Sequence, residues 1–156
     1  MTTRQPKGTP VGGQFAQERK PHSEDLSAST SFMVERSDGT KMWYRDIELH
    51  RDDGPAVEFA NGTKMWWRDG GLHRDDGPAM DYSDGVKEWF LNGVCHRDDG
   101  PAVEYPDGVK EWYQNGRLHR DDGPAIEWAN GIDEWYHNGE AISPPEGGLQ
   151  GHEVSR

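Results

Sequence analysis

Along most of this chain, apolar and polar residues alternate in runs of three or four that are cut short by Asp-Gly or Asn-Gly. Val103-Glu104-Tyr105 runs into Pro106-Asp107-Gly108, and Lys110-Glu111-Trp112-Tyr113 runs into Gln114-Asn115-Gly116. Period-two alternation marks a half-buried strand. Asp-Gly or Asn-Gly between two such runs predicts a hairpin, because a two-residue type I′ turn needs positive φ at both positions. Three strands joined by two such turns make a meander. With Asp107-Gly108 in the first turn, Tyr105 pairs with Lys110, Glu104 with Glu111 and Val103 with Trp112. With Asn115-Gly116 in the second, Tyr113 pairs with Leu118, Trp112 with His119, Glu111 with Arg120 and Lys110 with Asp121.

The pattern returns every 23 residues. His-Arg-Asp-Asp-Gly-Pro-Ala begins at His50, His73, His96 and His119; Trp43, Trp66, Trp89, Trp112 and Trp135 keep the same step, as do Gly62, Gly85, Gly108 and Gly131. A fixed period of this length marks stacked units with atypical ends. The expected fold class is all-β, with tandem 23-residue antiparallel meander repeats forming an elongated stacked or twisted sheet. The expected organisation is a disordered leader over 1–31, a β-repeat array of about five units over 32–142, and a flexible C-terminal tail over 143–156. One 23-residue meander cannot bury rings on both faces, so units must stack. A flat meander, with three strands between successive histidines, is favoured over a closed solenoid.

Composition changes the picture of the core. Leu, Ile, Val and Phe together number 22 of 156 residues, whereas there are seven Trp and five Tyr. A large aliphatic interior is excluded, and the core must be aromatic. The net charge is −12, and the acidity belongs to the array: residues 1–31 carry +1 and the remainder −13. Such a balance argues against binding a nucleic-acid backbone. No apolar run reaches the length of a signal peptide core or a membrane span, so a cytoplasmic protein with no membrane span is expected. Cys95 is the one cysteine, which leaves no disulfide and no cysteine-based zinc site.

The repeated residues offer several chemistries. Four histidines next to Asp pairs suit a divalent metal. The register sets each His against a Trp, however, and gives the Asp residues turn duties, so no metal ligand is assigned. Trp66-Trp67 and Trp89-Phe90 resemble ring pairs that hold choline or sugar, but the rings have a use as core, so no cofactor is expected. Cys95 fills a slot taken by Leu72 and Leu118, and no catalytic residue stands out. The charges form sets instead. Glu104 and Glu111 are joined by Arg120, and Asp81 and Glu88 by Arg97; in the unit before them Met65 takes the place of the middle carboxylate. Glu58, Asp81, Glu104 and Glu127 with Arg74, Arg97 and Arg120 are the expected interaction surface.

The strings Asn61-Gly62-Thr63-Lys64-Met65-Trp66-Trp67 and Glu111-Trp112-Tyr113-Gln114-Asn115-Gly116-Arg117-Leu118-His119-Arg120-Asp121-Asp122-Gly123-Pro124-Ala125 resemble MORN-type β-hairpin repeats. The tandem HRDDGPA variant found in bacteria, phages and giant viruses is closer still. Some bacterial proteins of this kind are labelled antitoxins. The resemblance implies a non-enzymatic repeat scaffold that binds a protein partner, whether as an antitoxin or immunity-type binder or as a phage-derived accessory protein. The alternative is a small-ligand or divalent-metal module built on the repeated His, Asp and Trp. The array ends are left open to pairing with a second copy.

Overall fold

The computed structural model describes residues 29–145. The described residues are all-β, with short antiparallel hairpins in a stacked sheet that does not close into a barrel. The main sheet starts with β1 (Ser31–Glu35) and β2 (Lys41–Arg45). It continues through the two-residue strands Val57–Glu58, Lys64–Met65, Met80–Asp81, Lys87–Glu88, Val103–Glu104, Lys110–Glu111 and Ile126–Glu127. Strand pairing therefore starts at Ser31, within the expected leader. Ser29 Oγ and Thr30 N donate to the Asp46 carboxylate at 3.0 and 2.9 Å. The expected leader up to residue 28 and the expected tail from residue 146 lie outside the described residues.

The first turn of each unit differs from the expected two-residue turn. Gly108 N donates to Tyr105 O at 3.0 Å, Tyr105 N to Val109 O at 2.9 Å, and Val109 N to Asp107 Oδ1 at 3.1 Å. Only Gly108 has positive φ, +94°, and Asp107 does not. This is a three-residue loop, a type I turn followed by a left-handed glycine bulge, with Pro106 as an added loop member. The extra residue slides the register by one: Val103 faces Glu111 and Glu104 faces Lys110. The expected pairs Tyr105–Lys110, Glu104–Glu111 and Val103–Trp112 are replaced.

That slip turns one face of the sheet into an alternating ladder of charge. Lys41, Glu58, Lys64, Asp81, Lys87, Glu104, Lys110 and Glu127 face one another in that order across successive strands. Opposite charges directly across strands contribute roughly 0.2–1 kcal/mol per pair. The other face carries Met42, Val57, Met65, Met80, Glu88, Val103, Glu111 and Ile126, with Val57, Val103 and Ile126 buried.

The second turn is the expected type I′ turn, with Asn115 at φ +50° and Gly116 at +75°, pairing Tyr113 with Leu118. Its strand does not extend the meander. At Trp112 the chain leaves the main sheet: Trp112 N donates to Ala125 O of the next unit and its carbonyl accepts from His119 N. Lys110 and Glu111 pair with Glu127 and Ile126, not with Asp121 and Arg120. The second hairpins form a separate row, held together by Gly116 N to Cys95 O at 2.9 Å and Arg97 N to Tyr113 O at 3.2 Å. Each unit thus adds two strands to the main sheet, a step of about 9.5 Å, not the three of a flat meander. Ala56, Ala79, Ala102 and Ala125 are fully buried at these junctions, and among the described residues no large side chain is. Their carbonyls accept from the backbone N–H of Trp43, Trp66, Trp89 and Trp112 in the preceding unit at 2.8 Å.

Lys110→Glu tests the ladder, because Glu104, the new carboxylate and Glu127 would stand in a row. A loss of about 1 kcal/mol in urea unfolding is expected, partly recovered at high salt. No loss would restore the register in which Lys110 faces Tyr105.

Candidate interaction surface

The Arg-Asp-Asp-Gly-Pro segments form corners along one edge of the array. Each corner is built around an arginine. The guanidinium carbons of Arg51, Arg74, Arg97 and Arg120 lie 4.1, 4.1, 4.1 and 4.0 Å from the ring centroids of Trp43, Trp66, Trp89 and Trp112. Arg120 Nε donates to Asp122 Oδ1 at 2.9 Å, and its Nη1 reaches Pro124 O at 3.3 Å and Glu127 at 2.7 Å. The corner glycine is not at positive φ; it lies under the folded-over arginine, and a Cβ on Gly123 would stand 2.7 Å from Arg120 Cζ, so the guanidinium would have to shift. The half-buried guanidinium, stacked on an indole and bonded to two carboxylates, is a rigid part of the scaffold.

The predicted charge sets are therefore partnered differently. Arg97 bonds Glu104 at 3.1 Å, Arg120 bonds Glu127 at 2.7 Å, and Arg51 bonds Glu58 at 3.3 Å. In each case the arginine reaches the strand that follows its own corner, because the second hairpin has turned away from Glu88 and Glu111. Arg74 holds Asp76 and the Pro78 carbonyl. Asp81, one methylene shorter than its Glu counterparts, makes no salt bridge with it.

The histidines pack differently from expectation as well. The arginine covers the indole, and the imidazole turns to the next unit. Nδ1 of His73, His96 and His119 accepts from the backbone N–H of Asn92, Asn115 and Asn138 at 3.2, 3.0 and 3.1 Å. His50 does the same for Asp69 at 3.0 Å. On the other side, Nε2 of His50, His73 and His96 meets Asp52, Asp75 and Asp98 at 2.9, 2.9 and 3.1 Å. Each ring ties the left-handed turn of one unit to the corner of the unit before it. The 19-residue interval from each His to an Asn or Asp before Gly was the legible signal. So was the eight-residue interval from Trp43, Trp66, Trp89 and Trp112 to an Arg.

Both Asp residues of each corner point outward, with side chains 67–86% exposed. Hydrogen bonds from Arg51, Arg74, Arg97 and Arg120 hold the carboxyls of Asp53, Asp76, Asp99 and Asp122 below their ordinary value. Successive corners enclose like grooves of about 540, 600 and 520 Å³, floored by Trp66, Trp89 and Trp112. The arrangement is a row of fixed carboxylates at one pitch.

Two places break the repeat. Near the array's end His137 enters the last corner: His119 Nε2 and His137 Nε2 lie 3.4 and 3.5 Å from Asp121 Oδ1, and the three ligand atoms fall within 4.8 Å of one another. On the opposite sheet face, Glu134 accepts from Trp128 Nε1 at 2.9 Å and Tyr136 Oη at 3.0 Å. Glu111 likewise lies beside the hydroxyls of Tyr105 and Tyr113. Met65 has no oxygen to offer at the equivalent place, and Trp67 Nε1 is buried without a partner. Burial, then the nearby Glu111, push the Glu88 carboxyl above its ordinary value. Burial and the same two carboxylates push the Cys95 thiol up to about 12, opposite to the activation a nucleophilic cysteine needs.

Removing the ring in His73→Ala strands a backbone donor, so a loss of about 1–3 kcal/mol is expected. His73→Asn, which keeps an acceptor near the Nδ1 position, should lose less; equal losses would mean that the imidazole acts by packing alone. Glu88 carries a pH prediction. Its folded-state pKa is the higher one, so the native protein loses stability as pH rises through the carboxyl range. Glu88→Gln should be the more stable at pH 7, and the two should converge below about pH 4. A constant difference across pH would contradict burial as the cause.

Neither a scan against protein-family models nor a search of the curated proteins finds a match to this chain.

Proposed function

We propose that this protein is a non-enzymatic repeat scaffold that binds a protein partner along the edge formed by the Arg-Asp-Asp-Gly-Pro corners. The observation that carries this reading is the row of exposed carboxylates held rigidly by Arg–Trp stacks, with a groove between each pair of corners. Fixed side chains lose little entropy on binding, and similar grooves at one pitch favour an extended partner that engages several at once. The acidic edge selects a basic surface. The resemblance to MORN-type repeats points the same way, and an antitoxin or immunity-type binder fits it: a small acidic protein that covers a basic partner.

A second reading, a divalent-metal module, draws support from His119, Asp121 and His137. Their 3.4 and 3.5 Å separations are close to the roughly 3.3 Å between two ligands of a tetrahedral zinc with bonds of 2.0–2.1 Å. Against it, Nδ1 of His119 accepts from Asn138 N, so its Nε2 carries the proton. Coordination there would sacrifice the bond that joins two units.

The test is capture of host proteins on the full chain and on an Asp99→Asn/Asp122→Asn variant of unchanged melting temperature, which alters carboxylates held by the arginines. The scaffold reading expects a basic protein retained by the first and lost, or weakened at least tenfold, on the second. Equal retention would move the interface off the corners. Stoichiometric zinc binding lost in His137→Gln would favour the second reading.

A further inference from the structure

We propose that the outer edge of β1 is a docking site for one extended strand of the partner, a strand that places a lysine opposite Glu35. This rests on the scaffold reading and names the chemistry of the partner.

The array itself is the template. Val34-Glu35 of β1 occupies the place that Val57-Glu58, Met80-Asp81, Val103-Glu104 and Ile126-Glu127 take in the later units. Each of those segments is covered on its N-terminal side by a Lys-bearing strand of the preceding unit. Lys41-Met42 lies on Glu58-Val57, Lys64-Met65 on Asp81-Met80, Lys87-Glu88 on Glu104-Val103 and Lys110-Glu111 on Glu127-Ile126. Glu58, Asp81 and Glu104 consequently stand between two lysines. Glu35 faces one, Lys41. Among the described residues nothing pairs with the outer side of β1.

The edge is also unlike the rest of the sheet. β1 is five residues long where most strands of this sheet have two, all five of its residues are exposed, and Phe32, Met33 and Val34 are 44, 48 and 41% accessible. Long apolar edges attract added strands and are normally blunted by charge or by cover. Phe32 stacks on Tyr44 of β2, 5.2 Å between centroids.

A second copy of this chain is the poorer occupant. Head-to-tail stacking would set the last hairpin against β1, and the residue there at the lysine position is Asp133. Asp133 would face Glu35, a like-charge pair, and its Oδ1 already accepts from Trp128 N. A two-fold pairing of β1 with itself about Met33 would put Glu35 opposite Ser31 and leave the second lysine position empty.

The experiment uses the full chain and a labelled peptide of residues 61–68, Asn-Gly-Thr-Lys-Met-Trp-Trp-Arg, which supplies such a strand inside the array. Saturable binding is expected, with slowed amide hydrogen exchange confined to residues 31–35. Lys→Asp in the peptide, or Glu35→Lys in the protein, should weaken it at least tenfold. Equal binding of both peptides, or protection elsewhere, would overturn the proposal. Concentration-dependent self-association that slows amide exchange at residues 31–35 would overturn it in favour of a second copy. Partner capture that depends on the corners but not on Glu35 would leave the scaffold reading standing while this one falls.

Discussion

No 23-residue unit of this protein can bury its own residues, and the junction between units is the constraint on which the structure depends. Strands of two residues make too few hydrogen bonds to hold a hairpin alone. In the main sheet the two-residue strands from Val57–Glu58 to Lys110–Glu111 are each sandwiched between a strand of their own unit and one of a neighbour, and the fully buried residues are the alanines at the junctions. Stability in such an array is a sum over junctions. The residues repeated most strictly are the ones that make those junctions.

Three devices share that task. The Trp N–H reaches the next unit's Ala carbonyl, the imidazole reaches the next unit's turn, and the Lys–Glu ladder runs unbroken through every junction. All three are polar. An array poor in aliphatic side chains is held by directional bonds, with rings and arginine stems shielding them. Arg51, Arg74, Arg97 and Arg120 serve both ends: each covers its indole and also presents a corner carboxylate to solvent. The contacts that fix the outer carboxylates are thus the same ones that cover the indoles.

The ends of the array obey the same rules with residues removed. Asp133 replaces the ladder lysine, Ser143 stands where an arginine would cover Trp135, and His137 fills the last corner. At the other end β1 keeps the acceptor pattern, with Glu35 flanked by a single lysine. The two edges of the sheet therefore present different chemistry, and the array has a direction.

The sequence alone determined the all-β class, the 23-residue period and the second turn, because Asn115-Gly116 is local chemistry that few backbone conformations satisfy. It could not decide the first turn. Asp107-Gly108 serves a two-residue or a three-residue loop equally well, and the choice between them moves every side chain of the strand to the other face. Tertiary structure made that choice: the three-residue loop sets Glu104 against Lys110 and brings Lys110 beside Glu127 of the next unit, whereas the shorter loop would have opposed Glu104 and Glu111. The same holds for His73, His96 and His119 and for the arginines. Their repetition was plain, but their partners lie in the following unit or strand, up to 19 residues away, and only the stacked array brings those groups within bonding distance.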